Sequence, residues 1–194
     1  LQQSPSMVVS SDAGAGVGYT YMRIRGMDQS RINVTINGIP VNDAESHGVF
    51  FVNMPDFASS IESVDIQRGA GTSTNGVAAF GASVNLFTDF RSENPYAEVN
   101  NSIGSFGTIR NTVKFGTGVI NKKFSFDGRL SNIQSDGFVD RASSDLQSYY
   151  FSGQYASGKN SLKFITFSGN QQTYQAWAGI PRDSLKTNRT FNPY

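Results

Sequence analysis

The chain has 194 residues, 38% of them apolar, and its 16 basic and 15 acidic side chains leave a net charge of +1, so no long-range field recruits nucleic acid or an acidic polymer. It holds no cysteine, which excludes disulfides and thiolate metal sites. No run approaches the roughly 18 apolar residues of a membrane-crossing helix, the closest being GVFFV at 48–52, so any bilayer passage is made by strands closed into a barrel.

The opening LQQSPSMVVSSDAGAG lacks an initiator Met and the basic, apolar and small-residue pattern of a signal peptide, and reads as a mature product or a fragment. Up to about residue 90, β-branched runs such as RINVTI (31–36) and IESVDIQ (61–67) alternate with Gly, Asn, Asp and Pro, which supply turns. This predicts a compact, turn-rich all-β or α+β unit. Pro55 followed by DFAS fits the first turn of one short helix.

The stretch 66–88, IQRGAGTSTNGVAAFGASVNLFT, carries Gly69, Gly71, Gly76 and Gly81. A phosphate-binding loop needs a Lys and a Ser or Thr behind its glycines, and no Lys stands between Arg68 and Lys114. A solvated linker is excluded by Val77, Phe80, Val84, Leu86 and Phe87, since burying a large apolar side chain stabilises by roughly 1.5–3 kcal/mol. The glycines therefore serve close packing and unusual backbone angles.

From about residue 95 the pattern becomes a period-2 alternation. Ala97, Val99 and Ile103 oppose Glu98, Asn100 and Ser102; Ile109, Val113 and Phe115 oppose Arg110, Thr112 and Lys114. Phe124, Phe126 and Leu130 oppose Ser125, Asp127, Arg129 and Ser131; Tyr149, Phe151 and Tyr155 oppose Ser148, Tyr150, Ser152 and Gln154. The segment 161–169 can be phased either way and stays unassigned. A soluble sandwich gives the same alternation, but the connections favour a barrel. After SFGT they run short (GVINKK), long (QSDGFVDRASSD), short (ASGKN), then long from Thr173, the alternation of tight periplasmic turns and long external loops.

YMRIRGMDQSRINVTINGIPVND (21–43) followed by SSIESVDIQRGAGTSTNGVAAFGASVNLFT (59–88) resembles the plug domain of TonB-dependent outer-membrane receptors. The motifs are Ile24-Arg25-Gly26, Asn37-Gly38-Ile39-Pro40, Arg68-Gly69-Ala70, and Asn75-Gly76 leading to Phe80-Gly81-Ala82-Ser83-Val84-Asn85. Ala70, Asn75 and Ala82 depart from the usual Pro, Tyr and Gly. The resemblance implies a mainly β fold: a small α+β plug over 1–90 lacking its N-terminal part, then from 91–194 the first four or five antiparallel strands of a transmembrane β-barrel with its external loops. The intact barrel has about 22 strands, so the chain is expected to be a fragment.

The family's mode of action implies an outer-membrane active transporter of a Gram-negative bacterium, no enzyme, with no catalytic residue, cofactor or resident metal. It binds a scarce ligand, a ferric siderophore, haem or a cobamide, and imports it when the TonB-ExbB-ExbD complex moves the plug. An alternative is import of an oligosaccharide or peptide with a surface lipoprotein; that branch replaces the Arg-Gly pair by Lys-Asp, and this chain keeps Arg68-Gly69. Outer-membrane lipid is a further implied partner and nucleic acid is not.

By motif position Arg25 and Arg68 resemble the two plug arginines that lock onto glutamates of the barrel wall; otherwise they are surface arginines at strand ends. Substrate-facing apices carry over to 12–18, to Asp28, Gln29 and Arg31, and to Asp43, Glu45, His47, Phe50 and Phe51. Asp43, Glu45 and His47 suit a transition metal, but a lone His is better read as a loop or chelate contact. Phe138, Arg141, Tyr174 and Trp177 are the external-loop candidates, exposed aromatics suiting flat ligands and equally loop packing or the interfacial girdle.

Overall fold

The computed structural model describes residues 5–11, 19–70, 79–88, 92–174, 176 and 178–194; the 12–18 apex, the glycine-rich 71–78 and Trp177 lie outside the described residues. The described residues divide into two compact units, the first built from 5–11, 19–52, 61–70 and 79–88 and the second from 53–60 and those from Ser92 onward.

In the first unit β1 (Met7–Ser11) and β2 (Thr20–Ile24) form an antiparallel hairpin. Four further strands make a sheet: β3 (Ile32–Ile36), β4 (Ile39–Pro40), β5 (Ser63–Arg68) and β6 (Ala82–Phe87), in the order β4-β3-β6-β5. β3 and β6 run parallel, which puts Ile32, Val34 and Ile36 beside Ala82, Val84 and Leu86. All six are buried, and they form the core. The other face is polar and also covered: Thr35 donates to Asn85 Oδ1 at 2.8 Å.

Two of the motifs are turns of one kind. Arg25 and Gly26 have φ of 52° and 80°, Asn37 and Gly38 of 50° and 82°. Positive φ at both central residues makes type I′ turns, whose twist matches the strands they join. Asn42 then replaces a missing strand along β3, since its side chain accepts from Val34 N–H at 2.8 Å and donates to the Ile32 carbonyl at 2.9 Å.

Gly81 explains why the 66–88 stretch needs small residues. Its N–H bonds the Arg31 carbonyl at 2.7 Å, and a Cβ there would lie 2.8 Å from that oxygen and 2.9 Å from Met27 Cβ. Gly69 sits at φ 91°.

The second unit is an antiparallel meander of β7 (Tyr96–Ile103), β8 (Ile109–Gly116), β9 (Phe124–Ser135), β10 (Ser144–Ser157) and β11 (Asn160–Thr173). The fold is mainly β, a small mixed sheet followed by barrel-type strands, as expected from the sequence. β9 and β10 outrun the alternating segments because the large apolar side chains of their continuations, Ile133 and Leu146, stand opposite each other on the polar face and break the alternation. β11 resolves the ambiguous segment: Leu162 and Phe164 join the apolar face opposite Tyr155 and Gly153, while Lys163 and Phe167 face the polar side opposite Gln154 and Tyr150.

Residues 53–60 pack on that polar side. Pro55 and Asp56 form the centre of a turn closed by Phe57 N–H to the Met54 carbonyl at 3.2 Å, with Asp56 at φ 49°. Pro at the first central position and positive φ at the second is the type II pattern. A single 3-10 turn, Phe57–Ser60, follows where the sequence suggested a short helix. Phe57 rests against Phe167 and Tyr150, ring centroids 4.8 and 6.4 Å away, which is why these two aromatics sit on a polar face.

Candidate functional site

The turn at 54–57 delivers one carboxylate to the polar face of the strands. Asp56 Oδ2 meets Arg129 Nη1 at 2.9 Å and Oδ1 meets Arg110 Nη2 at 3.1 Å. Arg110 and Arg129 lie on β8 and β9, two rows apart along the same face. The side chains of Asp56 and Arg129 are 6% and 3% exposed, that of Arg110 42%.

Hydroxyls complete the node. Ser59 donates to Asp56 Oδ1 at 2.6 Å and Ser131 donates to Oδ2, while Arg129 also reaches Ser60 Oγ at 2.8 Å and Ser148 Oγ at 3.1 Å. Arg110 donates to Ser59 as well. Both carboxylate oxygens are therefore saturated, as a buried anion requires. Both ion pairs found among the described residues converge on this acid. Sequence reasoning placed Arg110 and Arg129 on the polar face but missed Asp56. The available signal was Pro-Asp, a turn dipeptide that aims a carboxylate.

Arg25 and Arg68 lie elsewhere, exposed in the first unit. They come near each other around Gly69, where Arg25 Nη1 would lie 3.6 Å from an added Cβ, and Arg68 Nη1 donates to the Pro5 carbonyl at 3.3 Å. Neither forms an ion pair among the described residues.

The apex candidates divide. Asp28, Gln29 and Phe50 line one cavity of about 670 Å³ with Tyr21, Arg23 and Ser46. Arg31, Asp43, Glu45, His47 and Phe51 do not line it. Two of the carboxylates hold their own loops. Asp28 accepts from Ser30 N–H at 3.0 Å and from its hydroxyl. Asp43 accepts from Ser46 N–H at 2.7 Å, the Ser46 hydroxyl at 2.9 Å and Glu45 N–H at 3.1 Å. These bonds, Ser46 foremost, hold the Asp43 carboxyl below its ordinary range, and the Ser30 hydroxyl does the same to Asp28. His47 is exposed at φ 57°, and no three His, Asp or Glu side chains among the described residues are placed to hold a metal.

The loop candidates are tied to neighbouring connections. Phe138 packs edge-on against Phe106 at 5.4 Å. Arg141 lies over the Tyr174 ring at 5.9 Å and donates to the Asn192 carbonyl at 2.8 Å. Trp177 lies outside the described residues.

Comparison with known proteins supports the resemblance read from the motifs. Residues 1–83 match the TonB-dependent receptor plug domain. The unliganded ferric citrate transporter FecA superposes with a TM-score of 0.77 at 17% identity, over 98% of this chain and 30% of that one. The ferric yersiniabactin uptake receptor FyuA of Yersinia pestis gives 0.69 at 13%, over 88% and 28%, and the copper transporter OprC 0.69 at 16%, over 87% and 27%. At these identities the likeness is one of fold, and the chain spans less than a third of the length of each.

Proposed function

We propose that this chain, which carries a TonB-dependent receptor plug domain over 1–83 and continues into strands of the same receptors' fold, is part of an outer-membrane importer. The observation carrying the proposal is that 53–60, within the plug match, sits on the polar face of the strands through Asp56 and hydroxyl contacts. A stopper that must be moved by pulling needs attachments that break without unravelling the sheet, and polar contacts exchange with water where apolar packing does not.

In this reading the plug fills the lumen, the polar face lines it and the apolar face meets lipid in the outer membrane of a Gram-negative bacterium. Energy comes from the TonB-ExbB-ExbD complex. The ligand is a ferric siderophore, haem or a cobamide, met first at the apex cavity of Asp28, Gln29 and Phe50. Arg25 and Arg68 act as a second lock, against carboxylates of strands beyond those present. Metal-bearing cargo among the superposed proteins, ferric yersiniabactin, ferric citrate and copper, supports that ligand class. The Arg68-Gly69 pair favours it over glycan import with a lipoprotein.

A deletion strain grown on iron chelates, haem, cobamides and glycans tests the proposal. Loss of growth on one metal-bearing or corrin source is expected, and loss confined to a glycan overturns the ligand class.

A further inference from the structure

Beside the Asp56 node the polar face opens into a cavity of about 290 Å³ whose walls include Ser59, Asn100, Ser102, Arg110, Thr112 and Lys114. All six present hydrogen-bonding groups; two are cations and none is a carboxylate. Arg110 commits Nη2 to Asp56 and Ser59, and its Nη1 and Nε make no bond among the described residues. Lys114 stands on the same face, in register with Glu98 on β7 and Arg129 on β9. Glu98 does not line the cavity, its carboxylate accepts from Asn100, and Lys114 forms no ion pair among the described residues.

We infer that this cavity is an anion subsite for a carboxylate or phosphate group, and that its occupant competes with Asp56 for Arg110. Each bidentate edge of a guanidinium, Nη1/Nη2 or Nε/Nη2, includes the Nη2 that Asp56 and Ser59 hold, so an anion bound bidentately by Arg110 takes it from Asp56. The ammonium adds a second positive charge, and the Ser102 hydroxyl and the Asn100 amide donate to remaining oxygens. The cavity walls themselves carry two cations, Arg110 and Lys114, and no carboxylate, while Glu98 and Asp127 stand on the same face outside them, so the cavity favours a negative charge. Because Arg110 serves both the anchor and the cavity, an anion seated there withdraws one of the two ion pairs holding 53–60, and the anchor in turn weakens the anion. An anionic cargo would thereby loosen the stopper it has to pass. That last step rests on the transport reading; the anion site itself does not.

The full-length receptor in detergent is titrated calorimetrically with citrate and, separately, with inorganic phosphate. Saturable binding of either is expected; the arm that binds identifies carboxylate or phosphate as the preferred group, and binding of neither overturns the site. Lys114→Gln is expected to weaken binding about tenfold, as one charge-assisted contact implies, and Asp56→Asn to strengthen it by removing the internal competitor. An unchanged affinity in Lys114→Gln overturns the site whatever Asp56→Asn does to folding. Anion binding without any growth defect in the deletion strain would sink the importer and leave the subsite standing.

Discussion

At the level of single residues the energetics concentrate on Asp56. Removing one partner of a buried pair leaves the other charge without compensation, which costs about 3–5 kcal/mol. Arg129→Gln strands Asp56 with only its hydroxyls and Arg110, so the protein is expected to lose several degrees of Tm and, under the proposed importer function, to admit large antibiotics that the parent excludes. Unchanged Tm and unchanged sensitivity would show that the node is not an anchor. Gly81 is a different case, since the penalty is steric: an added methyl meets the Arg31 carbonyl and Met27, and Gly81→Ala should destabilise the first unit by roughly 1–3 kcal/mol, read as a lowered denaturation midpoint. Asp43 supplies a pH signature. Its carboxyl lies below 3.8 in the folded loop, so the ionised form is the one the fold favours; the contribution is complete above about 4 and lost as pH falls through the depressed value. The Asp43 side-chain carbon should titrate with a midpoint under 3.8 by NMR, and a midpoint at or above it would mean that the Ser46 bonds do not form.

At the level of elements, what the sequence made legible was periodicity. Four strands of the second unit were readable because Phe, Val, Ile and Tyr recur on one face, and β11 was not, because Phe167 and Ile165 point to the side where Phe57 packs. The two turn motifs were legible through Asn-Gly and Arg-Gly; the Asp56 node was not, since it joins positions up to 75 apart in the chain and no local pattern encodes such a pairing. The register shows a further feature that composition hides. Along the apolar face the last large apolar side chain moves from Phe164 on β11 to Tyr149 on β10, Leu130 on β9, Ile109 on β8 and Ile103 on β7, and since Val99, Val113, Leu130, Tyr149 and Ser168 lie in one row, that limit runs obliquely across the strands. Strands tilted about 35–45° in a membrane give this slant, because a line of constant depth crosses successive strands at different residues. The chain has no cysteine, so single Cys substitutions at Val99 and Ser168 can carry spin labels. The tilt predicts that the label at 99 is relaxed more by oxygen in the bilayer and the label at 168 more by a water-soluble nickel chelate; equal accessibility would mean that the row lies flat.

For the molecule as a whole the decisive fact is that the five-stranded sheet has two edges. Among the described residues β7 and β11 are each paired on one side only, and a backbone edge held in hydrocarbon leaves each unpaired N–H or C=O at a penalty of several kcal/mol. The apolar face compounds the problem in water: Val99, Ile103, Leu130, Leu162 and Phe164 are more than half exposed, an apolar surface that soluble monomers rarely leave open. The sheet is thus unsuited both to water and, by itself, to lipid, and becomes stable in a bilayer only when further strands cover both edges. Closed barrels of this kind migrate faster on SDS gels before boiling than after it. The 194 residues refolded alone into detergent are expected to give no such heat-modifiable band, whereas the same residues supplied with the remaining strands of a receptor should. A compact, heat-modifiable species from the 194 residues alone would require the edges to pair with one another or with a second copy, and would replace the importer reading with a smaller, self-closed assembly.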